Sequence, residues 1–196
     1  LDFDLNFDNT DIQFTNAFMD PKVLSEIRGM LFGKIDLGGT FTHPILDGTI
    51  DLKGGSMFMD ILGVHLGVDG PINVDKDGFY IDDVPVFDED GNSGKVIGTV
   101  HHNNFQDFNF NLQLDLESLS NSNSSFGSNA ANKFLVMNLP YSPDVSYYGK
   151  GYATGSATIL GYTNNLSINV DFKTEEETTI NIPMYGIGEI EDEGFI

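Results

Sequence analysis

Apolar and polar residues alternate along most of this chain. Leu1, Phe3, Leu5 and Phe7 share one parity while Asp2, Asp4 and Asn6 take the other, the mark of a strand with one dry and one wet face. Phe108, Phe110, Leu112, Leu114 and Leu116 repeat the pattern against Asn109, Asn111, Gln113 and Asp115. Leu166, Ile168, Val170 and Phe172 do so against Ser167, Asn169 and Asp171. Shorter runs of the same period occur at Ile35/Leu37, Ile50/Leu52, Met57/Met59, Val64/Leu66/Val68, Ile72/Val74, Phe79/Ile81, Leu135/Met137/Leu139 and Ile180/Ile182/Met184. The pattern predicts about a dozen strands. One parity of each should face a common apolar interior, because slipping the register by one residue would turn every side chain over.

One stretch carries helix signals. Asp20 suits an N-cap, Pro21 the first helical position, and Val23, Leu24 and Ile27 form a stripe that Gly29 can end. A short helix is therefore expected over about residues 20–29, plugging an end or corner of the sheet. The polar, low-complexity stretch Ser118–Lys133 predicts a mobile loop within one all-β segment spanning residues 1–196.

A glycine-led hairpin repeats. Gly33, Ile35, Leu37 and Gly39 lead through a turn into Leu46, Ile50 and Leu52; Gly155, Ala157, Ile159 and Gly161 lead through Asn164-Asn165 into Leu166, Ile168 and Val170. A degenerate copy starts at Gly94 with Val96, Gly98 and Val100, and turns over His101–Asn104; the starting glycines are 61 residues apart both times. Glycine inside a strand weakens it unless the sheet bends sharply or another backbone comes close. The expected architecture is thus an all-β, curled, repeat-built antiparallel sheet.

Charge narrows the partners. Nine Lys+Arg against 30 Asp+Glu give a net charge of −21, which repels nucleic-acid phosphates and anionic headgroups. With 40% hydrophobic residues the chain can still bury a core. Cysteine is absent, so disulfides and thiolate metal sites are excluded. No apolar run reaches the ~18 residues of a membrane-spanning helix, no signal peptide is visible, and both ends read as cut from something longer.

Candidate chemistry is thin. Asp88-Glu89-Asp90-Gly91-Asn92-Ser93-Gly94 opens like a calcium loop, but Ser93 stands where that loop needs Gly and Thr99 where it needs a bidentate Glu. A hairpin turn rich in Asx residues is expected there instead, without a metal. His101 and His102 are adjacent, so on a strand they point to opposite faces; His43 and His65 lie in unrelated segments. The carboxylates are spread over the wet positions, and no nucleophile elbow, phosphate-cradling loop or H-E-x-x-H occurs. The sequence therefore predicts neither an enzyme nor a cofactor.

What remains is apolar surface, which either fills the core of an ordinary sandwich or barrel, or lines a groove. Adaptable methionines and 16 phenylalanines suit a groove for flexible acyl chains. Its candidate lining is Ile35, Leu37, Ile50, Leu52, Met57, Met59, Phe108, Phe110, Leu112, Leu114, Leu116, Met137, Ile159, Leu166, Ile168 and Val170.

The segment GKIDLGGTFTHPILDGTIDLKGG from Gly33 resembles the hairpin repeated in AsmA-like envelope proteins of the TamB kind. YGKGYATG from Tyr148, followed by ATILGYTNNLSINVDFKTEEETTINIPM, is similar to the C-terminal repeats of that family as found in Bacteroidota. The resemblance runs from about Gly29 to Met184; the Ser118–Lys133 insertion and the missing ends depart from a complete member. It implies a β-taco-like trough or open β-roll in the periplasm, part of a protein held in the inner membrane by an anchor outside this chain. It further implies phospholipid transport between the two membranes, assembly of outer-membrane proteins with a BamA-type partner, or both. Two alternatives stand beside it: a structural spacer or adhesin-like β-solenoid with a filled core, and a carbohydrate-active β-protein with two acids converging on a cleft.

Overall fold

A computed structural model describes residues 1–18, 25–104, 106–116, 133–143, 145–162 and 165–183. The chain is all-β, apart from a 3₁₀ turn at Gln13–Phe18. The strands are β1 (Phe3–Asp11), β2 (Ser25–Gly39), β3 (Pro44–Met59), β4 (Val64–Val74), β5 (Gly78–Phe87), β6 (Ser93–Asn103), β7 (Gln106–Asp115), β8 (Phe134–Leu139), β9 (Tyr148–Tyr162), β10 (Asn165–Thr174) and β11 (Thr179–Asn181). They form a single antiparallel sheet in the order β1-β2-β3-β4-β5-β6-β7-β9-β10, with β8 and β11 also paired to β9. The sheet is not closed into a barrel.

Register puts the dry parity of the nine strands along this path on one face. In β8 a shift between Leu135 and Met137 breaks the expected Leu135/Met137/Leu139 parity, so Phe134 and Met137 pair with dry-parity Ala153 and Gly151 while Leu135 pairs with wet-parity Tyr152. One cross-strand row runs Leu5, Ile35, Gly48, Val74, Phe79, Val100, Phe110, Gly161, Leu166. The next runs Phe7, Gly33, Ile50, Ile72, Ile81, Gly98, Leu112, Ile159, Ile168. Between them, on the other face, lies Asn6, Lys34, Thr49, Asn73, Tyr80, Thr99, Asn111, Leu160, Ser167. Bulges keep this sorting intact where the sequence changes parity. The shift between Leu52 and Gly55 brings Met57 and Met59 onto the face of Ile50, and the shift between Ile81 and Val84 does the same for Val84 and Val86.

The three glycine-led segments are the first strands of the hairpins β2–β3, β6–β7 and β9–β10, which close at Gly39·Pro44, Asn103·Gln106 and Tyr162·Asn165. Gly33 and Gly98 have φ of 120° and 142°, which L side chains rarely adopt. A Cβ on either would run into the neighbouring strand's backbone, at the Thr49 and Asn111 carbonyl oxygens respectively. Close backbone approach is what these interior glycines serve.

The helix expected over residues 20–29 is not there in its second half. Ser25–Gly29 begins β2, while residues 20–24 lie outside the described residues. The helical stripe loses to tertiary partners. Ile27 is buried at 7% exposure, its N–H donates to Asn16 Oδ1 at 2.8 Å, and its carbonyl accepts from Asn16 Nδ2 at 2.8 Å. Arg28 pairs with Ser56 of β3, and Gly29 lies so close to Gly55 that a Cβ would stand 2.9 Å from its Cα. The loop expected at Ser118–Lys133 likewise lies outside the described residues except for Lys133.

β7 and β8 are two pieces of one strand. Asp115 pairs with Ser156 and Phe134 with Ala153, both on the same side of β9. An uninterrupted strand would bring residue 118 to Ala153, so 16 residues are surplus to the register. Deleting residues 117–132 should join Leu116 to Lys133 in register and keep both Leu116 and Phe134 inward. By loop-closure entropy the deletion should stabilise the fold by about 2 kcal/mol. A melting temperature equal to or above the parent's is expected; loss of cooperative unfolding would disprove the shared strand.

Candidate functional site

The apolar face divides into a filled region and an open one. On β2–β5, Ile35, Leu46 and Val74 are buried, packed with Phe7, Leu37, Ile50, Ile72 and Phe79. Where β8 runs past the β5–β6 turn to reach β4, Val64 (1% exposed), Leu135 (0%) and Tyr152 (4%) form a second cluster with Met59, Leu62 and Leu66. A third joins Val86, Leu116 and Phe134 to Leu66, Val68, Val96, Leu114, Val136 and Phe172, so side chains from β4 to β10 meet there. Across β7, β9 and β10 the same rows end differently. Phe108, Phe110, Leu112 and Ile159 are half-buried, and Leu166, Ile168 and Val170 are exposed at 45%, 63% and 56%.

The candidate lining residues are therefore not equivalent. Ile35, Leu52, Leu116 and Met137 are buried, whereas Leu37, Ile50, Met57, Met59 and Leu114 are half-buried. Only Phe108, Phe110, Leu112, Ile159, Leu166, Ile168 and Val170 share the open quadrant. Phe134, Tyr152, Val84 and Val86 belong to the filled core without having been singled out. The signal for the β8 residues was the unbroken run Phe134-Leu135-Val136-Met137, which departs from alternation as a strand buried on both faces does.

Asp88 secures the filled end. It is 7% exposed and sits in the hairpin turn where the calcium-like motif stands. Its Oδ1 accepts from the N–H groups of Asp90 (3.0 Å) and Asn92 (2.8 Å); its Oδ2 accepts from Asn92 Nδ2 (2.8 Å) and the Leu135 N–H (2.7 Å). Four donors offset the cost of burying a carboxylate. The last of them ties β8 to the turn, and the Asn138 N–H adds a bond to Leu62 O at 2.8 Å. No cluster of three or more metal-ligating side chains occurs among the described residues.

Beside this turn Asp90 accepts from the Tyr152 hydroxyl at 2.5 Å and from Lys150 at 3.3 Å. The tyrosine bond first, then the lysine, holds the Asp90 carboxyl below the usual carboxylate range. Burial pushes the Tyr152 phenol up, and its bond to Asp90 adds to this. The Lys133 and Lys150 ammonium groups lie 4.3 and 4.9 Å from the Tyr152 ring centroid, a cation–π pairing for each.

The histidines do separate to opposite faces. His102 sits on the apolar face between Phe79 (5.7 Å between ring centroids) and Phe108 (5.9 Å), while His101 meets Tyr80 at 5.9 Å. On the wet face a recess of about 430 Å³ is lined by Gln113, Asp115, Thr154, Gly155, Ser156, Asp171 and Lys173. Asp115 and Asp171 flank Ser156 on neighbouring strands, but Lys173 is turned to Glu175 at 3.0 Å. The lining is polar apart from Gly155, so nothing builds the apolar pocket that raises a glycosidase acid.

No protein-family model, no curated protein and no solved structure matches this chain. No helix among the described residues is long and apolar enough to cross a membrane.

Two outcomes follow from the division. Leu135→Ala should cost about 2–5 kcal/mol as a cavity in a filled core, and Ile168→Ala should stay within about 0.5 kcal/mol; denaturant titration compares them. Tyr152→Phe should cost about 1 kcal/mol at neutral pH, roughly 2–4 °C in melting temperature. Because the Asp90 carboxyl is depressed in the folded state, its contribution is present above about pH 4 and lost as pH falls through its folded value. The variant's melting should therefore fall less steeply on acidification below about pH 4 than the parent's.

Proposed function

We propose that this chain is a non-catalytic segment of a cell-envelope protein whose apolar sheet face receives phospholipid acyl chains. The supporting observation is the quadrant on β7, β9 and β10, where Leu112 and Ile159 are half-buried and Leu166, Ile168 and Val170 are exposed at the end of rows that are buried or half-buried on the inner strands. An isolated large side chain in water is ordinary, but a contiguous exposed apolar patch marks a binding surface. Bent into a β-taco-like trough or open β-roll, the sheet would offer hydrocarbon a dry face while its aspartates keep the outside wet. The resemblance to TamB-like proteins supplies the setting: the periplasm, passage of phospholipid between inner and outer membranes, and a BamA-type partner of the full-length protein.

A structural spacer with a filled core is the second reading, favoured by Val64, Leu135 and Phe134 at 1%, 0% and 2% exposure. The two readings separate by position. A photo-crosslinking residue at Leu112 or Ile168 should capture phospholipid, and one at Leu135 should not. Ile168→Arg should abolish capture at Leu112 while leaving melting nearly unchanged, because each acyl methylene returned to water costs about 0.8 kcal/mol. No lipid captured at either open position by the parent chain would leave the spacer.

A further inference from the structure

Among the described residues the sheet path ends on two edge strands, β1 and β10, and only one is defended. β1 carries Asp4, Asp8 and Asp11, and its pairing with β2 breaks between Phe7 and Thr10, where Asn9 takes a φ of 59°. Charge and irregularity are how natural edges avoid joining other sheets. β10 has neither. It pairs with β9 through ten consecutive residues without a shift, contains no Gly or Pro, and balances Asp171 with Lys173. Among the described residues β9 is its strand partner, and Leu166, Ile168 and Val170 remain exposed on its dry face. In a chain of net charge −21, two copies approach most cheaply through a neutral strand.

We propose that β10 pairs edge to edge and antiparallel with β10 of a second copy of this chain. A two-fold axis through Asn169, perpendicular to the sheet, sets Ile168 opposite Val170, Leu166 opposite Phe172, Ser167 opposite Asp171 and Asn165 opposite Lys173. Apolar residues meet apolar ones and no like charges stand opposite, which is what stabilises a cross-strand pair. Rotation about that axis leaves both dry faces on the same side, so the apolar face continues into the second copy. The contact is isologous and closes at two copies. Pairing β1 with β10 would instead leave an edge open at each end and grow filaments, and β1 with β1 would oppose aspartates. This inference does not depend on what the apolar face binds.

Sedimentation equilibrium on the full chain tests it. The mass should rise with concentration from 21.5 kDa to twice that value and stop there. Ser167→Asp with Asn169→Asp changes two exposed wet-face residues, placing acid opposite acid at Asn169 and opposite Asp171. It should weaken the dimer at least roughly tenfold while melting like the parent at concentrations where both are monomeric, and added salt should restore part of the loss. Asn6→Asp with Asn111→Asp adds the same charge elsewhere on the wet face and should leave the dimer intact. A parent chain that stays monomeric, a dimer indifferent to the β10 acids, or growth beyond two copies would each overturn the proposal.

Discussion

The arrangement depends on a register held across nine successive strands. In an antiparallel sheet, side chains directly opposite one another lie on the same face, so a single misregistered pair would send half the apolar set into water. Here the rows stay apolar from β1 to β10 because two bulges absorb the odd residue counts, one at Gly54-Gly55 and one at Asp82-Asp83. At the row positions Gly33, Gly48 and Gly98 an added Cβ would meet the neighbouring strand's backbone. The opposite face collects the acid. Lys34 sits between Asp4 (3.1 Å) and Asp36 (2.6 Å), and Lys53 between Asp51 (3.0 Å) and Asp69 (3.2 Å). Hydrogen bonds donated to these carboxylates push both lysines up. Such exposed pairs contribute little each, but they separate like charges on a strongly acidic surface.

Sorting residues to one face does not bury them. A lone sheet leaves its dry face wet unless something lies across it, and this chain covers only part. β8 supplies the cover at one end, because β9 runs on past the short β5–β6 hairpin and leaves its outer half to pair with β8. From there Leu135 reaches Val64 of β4, and the Asp88 carboxylate closes the gap between turn and strand. Among the described residues nothing of the kind covers Leu166, Ile168 and Val170 of β10. The same sheet thus holds a tight core and an open apolar margin, and the proposed acyl contact and the proposed self-pairing both use the margin. They use different parts of it, the dry face in one case and the backbone edge in the other.

Alternation at Phe108–Leu116 and at Leu166–Phe172 was enough to place β7 and β10, and the glycine spacing was enough to place three hairpins, because both signals are local and follow from a side-chain period of two. The adjacent histidines fell on opposite faces for the same reason. Local signals misled at Ser25–Gly29, where capping residues and an apolar stripe favour a helix. Pairing with β3 and the two bonds from Asn16 draw the segment into β2, and neither partner is near in sequence.

Which apolar residues would be buried was beyond the sequence. Leu114 and Ile168 have the same pattern around them, yet one packs against Val86 and Phe134 while the other is 63% exposed. Parity is a property of the strand, whereas burial depends on which distant segment crosses the face. The sequence by itself determined the strands, their dry and wet sides and the acidity of the wet one. Only the tertiary structure decided that β8 would cover one end, that Asp88 would hold it there, and that, among the described residues, Leu166, Ile168 and Val170 of β10 would stay exposed with β9 as the strand's one partner.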